Sequence, residues 1–158
     1  MINIQIAYEI QDEVNIDEEW ISIICKKIFN DNKKINGDII IIISDDDKLR
    51  KMKRTFFNKD LLTDVIAFNL EDTGEPIEGE IYISFKRVQE NAQDFKQEID
   101  TELKRIIIHG CLHLLGYDDV TSKEKNEMTA LENYYLNEFS IMFMIERFNC
   151  RGLTDVCI

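Results

Sequence analysis

Proline is almost missing from this 158-residue chain, with one copy at position 76, and glycine is sparse at six copies. With 44% apolar residues, that composition excludes a disordered chain and leaves no linker or low-complexity segment. Positive charge is also short. Nineteen Lys and Arg face 31 Asp and Glu, for a formal net charge of −12, which argues against indiscriminate binding to nucleic acid. No apolar run approaches the ~20 residues that span a bilayer, and the start Met1-Ile-Asn-Ile-Gln-Ile6 lacks the basic, apolar plan of a signal peptide. The four cysteines, Cys25, Cys111, Cys150 and Cys157, include no C-x-x-C pair. That disfavours a thiolate zinc site and points to free thiols in a reducing cytoplasm.

What remains is one globular domain. The length is too short for two ordinary domains, yet a chain of this size buries roughly 70% of its unfolded surface without disulfides or a structural metal. Ile2, Ile4, Ile6 and Tyr8 alternate with polar residues, the period of a half-buried strand. Asp17 is placed to cap a helix carrying Trp20, Ile24 and Ile28 on one face. After the Asn36-Gly37 turn, Ile39 to Ile43 is a continuous β-branched run, a strand buried on both faces. Ser44 or Asp45 caps a helix to about Phe57. Shorter strands are expected at residues 65–70 and 80–85, separated by the proline-containing loop 71–78.

The remainder is helical. Segments run from about Lys86 to Gln97, from Asp100 or Thr101 to Gly116, and from Thr121 or Ser122 onward, where Met128, Leu131 and Tyr135 share a face. Strands alternating with helices and then helices alone give an α+β fold: a mixed sheet of about four strands, with the chemistry on a helix in the C-terminal half. Residues 1–137 form the domain. Residues 138–158 form an extension of unassigned role, either an extra helix on the core or an appendage that buries the Phe139–Ile145 cluster against a partner.

The only histidines, His109 and His113, lie four residues apart on a helix. That spacing puts both imidazoles on one face, able to converge on one metal ion. The plainer alternative is a pair of core histidines satisfied by carboxylates. The run continues to Gly116 and Asp119, in the places where metzincins put the helix-ending glycine and the third ligand. Two histidines and a carboxylate leave one coordination position for water, as catalytic sites do. Asp119 is the expected ligand, and Asp118 its substitute or a residue orienting a histidine. Zinc proteases follow the first histidine with a glutamate base, and here Gly110 stands there. Phosphodiester cleavage tolerates that loss better, because zinc both acidifies water and polarises the phosphoryl oxygen. Cys111 falls on a different helix face and belongs to the core.

The run His109-Gly-Cys-Leu-His113-Leu-Leu-Gly116-Tyr-Asp-Asp119 resembles the motif H-G-x-L-H-L-x-G-Y-D-H of the YbeY family. Its members are bacterial metal-dependent endoribonucleases acting in ribosomal RNA maturation. Lys59-Asp60-Leu-Leu-Thr63-Asp64-Val65-Ile66-Ala67-Phe68 is similar to the family's K-D-x-P-T-(N/D)-V-L-S-F segment. Gly79-Glu80-Ile81-Tyr82-Ile83-Ser84 is similar to its G-D-I-x-I-S strand, and the resemblance covers roughly residues 44–135. Two positions depart from the family. Asp119 replaces its usual third histidine, which adds negative charge and broadens the metal preference. Phe57 replaces an arginine that engages RNA phosphate, so that role does not transfer to this position.

The resemblance implies a single-strand-specific, zinc-dependent endoribonuclease with one Zn2+ held by His109, His113 and Asp119. A water on the zinc is the expected nucleophile, ribosomal RNA of the small subunit the expected partner, and the cytoplasm the expected location, with no membrane contact. Lys48 to Lys59 holds six basic residues and no acid, and Arg50, Lys53, Arg54 and Lys59 are the candidate RNA contacts. Phe56 and Phe57 are expected in the core, with stacking of either on an unpaired base as the alternative. Two other readings stay open: a zinc metalloprotease, weakened by Gly110, and a metal-stabilised ribosome-assembly factor that does not cut.

Overall fold

A computed structural model describes residues 1–72 and 76–154. In the last helix it describes side chains up to residue 138 and that of Ser140. The order is β1 (Ile2–Tyr8), α1 (Glu18–Asp31), β2 (Gly37–Ser44), α2 (Asp46–Phe57), β3 (Val65–Asn69), β4 (Ile77–Ser84), α3 (Phe85–Asp94), α4 (Ile99–Leu114) and α5 (Ser122–Thr154). Four strands make one mixed sheet in the order β1-β2-β4-β3. β1, β2 and β4 run parallel, and β3 pairs antiparallel to β4 as an edge. The α+β class and the four-strand sheet are as expected.

Strand period assigns the two faces. Ile39, Ile41, Ile43, Ile81 and Ile83 enter the main core with Trp20, Ile24 and Ile28 of α1 and Ile107, Cys111 and Leu114 of α4. The alternate residues Ile66, Phe68 and Tyr82 pack instead with Leu49 and Met52 of α2, so α2 covers the opposite face. The isoleucine run of β2 is buried on both faces at Ile41 and Ile42. On the edge strand β1 only Ile2 is fully buried, while Tyr8 is exposed.

Local chemistry sets the helix starts. Asp17 accepts from the Trp20 backbone N–H at 2.9 Å, and Asp45 accepts from that of Lys48 at 2.8 Å, each satisfying a donor that the first turn leaves unpaired. Ser44 is not the cap; its hydroxyl donates to Glu9 at 3.0 Å.

Several boundaries differ from expectation. β4 starts at Ile77 rather than 80, because Ile77 pairs with Gly37 at the end of β2. α3 ends at Asp94, short of Gln97. α4 starts one residue before Asp100, after Glu98, which makes no side-chain cap. Phe56 and Phe57 are not core residues. They are 63% and 42% exposed, lying beside Phe68 of the edge strand at ring-centroid distances of 5.2 and 6.0 Å. The α5 backbone continues through residue 137 to Thr154. The packing of the Phe139–Ile145 cluster lies outside the described residues. No helix among the described residues is long and apolar enough to cross a membrane.

Candidate metal centre

α4 runs through the middle of the fold, packed against the sheet and against α1, α3 and α5. Its apolar circumference explains this: Leu103, Ile106, Ile107, Ile108, Cys111 and Leu112 are all buried. Cys111 meets Cys25 of α1, sulfur to sulfur, at 3.5 Å, which settles it as a core thiol. Gly110 faces the sheet, where a Cβ would stand 2.7 Å from Ile81 Cγ2. The position at which zinc proteases carry glutamate is therefore a point of contact between helix and strand. The remaining stripe carries His109 and His113 toward the edge strand.

The turn after α4 is built from both ends. Gly116, at φ +94°, donates to the His113 carbonyl at 3.0 Å, and Tyr117 donates to the Leu112 carbonyl at 3.1 Å. These are the two bonds of a Schellman motif, which needs the left-handed residue that glycine supplies. Three residues later α5 opens with a capping box. Thr121 accepts from the Glu124 N–H at 3.1 Å, while the Glu124 carboxylate accepts from Thr121 at 2.9 Å and from Val120 at 3.0 Å. Tyr117 further anchors the turn, its hydroxyl donating to Asn32 at 3.1 Å. Asp118 and Asp119 are held between two clamps.

Asp119 is thereby returned to the histidine face. The two Nε2 atoms approach to 2.8 Å, and Asp119 Oδ2 lies 3.5 Å from that of His109 and 3.8 Å from that of His113. A tetrahedral ion with bonds of ~2.0–2.1 Å has donor–donor edges of about 3.3 Å, so the three separations bracket the requirement. His109, His113 and Asp119 form a group able to hold a metal ion. Both imidazoles turn Nε2 to one point, which is what a shared ion requires and what two separately satisfied core histidines have no reason to do. Asp118 is not in the group; it lines the adjoining cleft.

Around the triad stand residues that the sequence reading missed. Glu132 of α5 is buried at 7% exposure, with one carboxylate oxygen 3.6 Å from His109 Nδ1 and the other 3.6 Å from Arg105. A carboxylate on the far ring nitrogen fixes the tautomer and frees Nε2 for a metal. A glutamate on the same helical face as Met128 and Tyr135 was the available signal. Burial works against the charged form of His109, but the nearby carboxylate of Glu132, and then those of Asp119 and Asp64, outweigh it, so its pKa is raised. For His113, burial and the neighbouring His109 prevail over Asp119 and the Tyr117 backbone, and the pKa is lowered.

An open cleft of about 400 Å3 fronts the triad, lined by Lys53, Phe57, Asp64, both histidines and Asp119 and running along β3. Of the four basic candidates, only Lys53 reaches it, its ammonium 4.6 Å from the Phe57 ring centre. Arg50 and Arg54 instead donate through Nε to the same oxygen of Asp60, at 2.7 and 2.9 Å. Lys59 lies outside the cleft lining, its backbone N–H donating to the Lys53 carbonyl at 3.1 Å.

The family model for endoribonuclease YbeY matches residues 5–140. The chain belongs to the endoribonuclease YbeY family. An endoribonuclease YbeY of Flavobacterium psychrophilum is 39% identical over 138 residues, covering 87% of this chain and 97% of its own. One from Christiangramia forsetii is 40% identical over 128 residues, covering 81% and 88% respectively. A solution structure of a Thermotoga maritima protein superposes with a TM-score of 0.60 at 27% identity, over 91% of this chain and 93% of that one. Within the YbeY family frame, the two departures have clear structural addresses. Asp119 is one of the three converging donors, and Phe57 is a wall of the cleft beside them.

Proposed function

We propose that this chain is a metal-dependent endoribonuclease that cuts single-stranded ribosomal RNA during maturation of the small subunit, in the cytoplasm, with one Zn2+ held by His109, His113 and Asp119. Residues 1–137 form the catalytic domain and 138–158 an extension to it. The observation that carries the reading is the convergence of two Nε2 atoms and one carboxylate oxygen at the mouth of an open cleft. A divalent ion held by these three residues would supply a Lewis acid for the phosphoryl oxygen and would acidify water there.

The protein's own groups divide the remaining work. Glu132 holds the His109 ring with Nε2 outward. Lys53 offers the cleft its ammonium, a contact for a phosphate that carries no sequence information. Phe57 presents an aromatic surface on which an unstacked base can lie, a contact available to single strands and closed to paired ones. The cleft also carries Asp64, Asp118 and Asp119, so Lys53 is the cation of the lining that faces phosphate, and an ion held by the triad would add to its attraction.

A protease is disfavoured because Gly110 stands where zinc proteases carry their glutamate base and packs closely on Ile81. The deciding experiment compares wild type with His113→Ala for zinc content and for cleavage of a single-stranded ribosomal RNA fragment. Loss of both together is expected. Cleavage retained by the metal-free variant refutes the mechanism, and intact small-subunit binding with no cleavage by zinc-loaded wild type replaces it with a non-catalytic assembly role.

A further inference from the structure

Arg105 stands one turn before His109 on α4, so both side chains leave the same helical face. Its guanidinium spans two neighbouring residues of α5. Nη2 donates to the Asn133 side chain at 2.9 Å, and Nη1 lies 3.6 Å from Glu132 Oε1. The other oxygen of that carboxylate, Oε2, lies 3.6 Å from His109 Nδ1. Glu132 is therefore a bridge with one oxygen turned to each side. Arg105 is its only permanently charged partner among the described residues.

Glu132 needs that partner. It is buried, and a buried carboxylate left without a cation is costly. The surroundings sharpen the need. Burial raises the pKa of the nearby Glu102, the charge of Arg105 opposes that rise, and Asp64 and Glu132 add to it. One guanidinium thus balances two buried acids. The cavity they line, of about 320 Å3, gives a released carboxylate room to turn away from His109, and Lys125 on its wall is a cation to turn toward. Lys104, next to Arg105, is taken up by Asp100 at 2.7 Å and by the Trp20 ring at 4.4 Å.

We propose that Arg105 is a positioning residue of the metal centre: anchored by Asn133, it pins Glu132 beside His109 and so keeps Nε2 of that ring turned toward the triad. It acts through Glu132 and not on the ion. The planar fork suits the task, since it presents separate N–H groups to two acceptors at fixed angles, which a lysine ammonium on a flexible stem does not. The effect on metal affinity rests on the reading of His109, His113 and Asp119 as a metal site; the effect on the His109 ring does not.

The test measures zinc affinity of the full-length protein by chelator competition in wild type, Arg105→Met, Glu132→Gln and the double variant. Arg105→Met keeps the apolar stem and loses the fork. It should weaken zinc binding about tenfold, the low end of what the loss of a histidine's outer partner costs. The double variant should then bind no more weakly than Glu132→Gln alone. Arg105→Lys, which restores the charge without the fork, should bind more tightly than Arg105→Met and more weakly than wild type, and it carries the cycle if Arg105→Met does not fold. Wild-type affinity in Arg105→Met, losses that add in the double variant, or no recovery with lysine overturns the proposal. A second readout needs no metal. Nitrogen NMR of the apo protein at alkaline pH, where the imidazole is neutral, should show His109 protonated at Nδ1 in wild type and a mixture of tautomers in Arg105→Met. The same tautomer in both proteins overturns the proposal. Wild type that holds no zinc refutes the metal centre instead, and the tautomer then decides the role of Arg105 by itself.

Discussion

Replacing Gly110 with alanine probes the contact that places both histidines. The added Cβ would stand 2.7 Å from Ile81 Cγ2, 3.3 Å from Ile81 Cδ1 and 3.4 Å from Val65 Cγ2. Ile81 is fully buried, and Cγ2 branches directly from its Cβ, so the methyl moves only if χ1 or the strand moves. Overpacking of this kind costs about 1–3 kcal/mol. Alanine returns roughly 0.5–1 kcal/mol through its higher helix propensity. The net loss is about 1–2 kcal/mol, equivalent to a fall in Tm of roughly 2–8 °C for a chain of this length. If α4 relieves the clash by lifting off β4, His109 lifts with it, so metal affinity falls alongside stability. Thermal unfolding by circular dichroism and a zinc competition titration measure the two effects. A Gly110→Ala protein that melts at or above the wild-type temperature and binds zinc as tightly would refute this account of the helix position. A Gly110→Glu protein with metal-dependent peptidase activity would refute it as well.

Glu132→Gln should lower metal affinity about 10–100-fold with all three ligands intact, measured by chelator competition; unchanged affinity would remove Glu132 from its orienting role. Gly116→Ala meets nothing within 4 Å, but its φ of +94° is strained for any other residue, so a loss of about 1–2 kcal/mol is expected from the backbone alone. An unfolding curve that does not move would contradict the Schellman assignment. The Asp60 carboxyl, hydrogen-bonded by Arg50 and Arg54, is held down at about 2. A depressed carboxyl contributes its stabilisation above its ordinary value and loses it as pH falls from there through the folded value. A carboxyl-carbon NMR titration should therefore show the Asp60 midpoint near that low value, returning toward the ordinary range in the Arg50→Ala, Arg54→Ala double variant. An ordinary midpoint in wild type would refute the pairing.

Sequence legibility followed the range of the interactions. The caps at Asp17, Asp45 and Thr121, the end of α4 at Gly116 and the converging pair of histidines all depend on residues within one or two turns, and pattern reading reached them. Asp119 was legible for the same reason: both clamps on its turn are local, one ending at Gly116 and the other beginning at Thr121. Glu132 was not, because its place beside His109 comes from α4 and α5 packing side by side, and a glutamate on a helix reads as surface until that packing is known. The basic residues of α2 share a face, as their spacing implies, but the ion pairs that two of them make depend on a turn beyond the helix. Asn58 adopts the left-handed conformation at φ 53° and turns the chain back, so that Asp60 occupies Arg50 and Arg54. Phe56 and Phe57 failed as core residues because their position beside an edge strand is a property of strand order, which hydrophobicity does not encode.

The substitution at 119 bears on which ion this family member selects. A histidine there would complete a neutral three-nitrogen set, leaving a bound divalent ion with its full charge of +2. Asp119 reduces that to +1 and supplies a hard oxygen. Hard oxygen donors favour Mg2+ and Mn2+ relative to zinc, while a third imidazole favours zinc. The turn that carries residue 119 is fixed at both ends, so the exchange alters the donor more than its origin. Nδ1 of a histidine also lies the same number of bonds from Cβ as a carboxylate oxygen of aspartate. Asp119→His should therefore narrow metal uptake toward zinc when the apo protein is dialysed against an equimolar mixture of Zn2+, Mn2+ and Mg2+ and its content read by elemental analysis. Total metal at the triad should stay at one ion. An identical metal distribution in the two proteins would show that selectivity is set by the two histidines and their supporting carboxylate, and that the third donor is electronically indifferent.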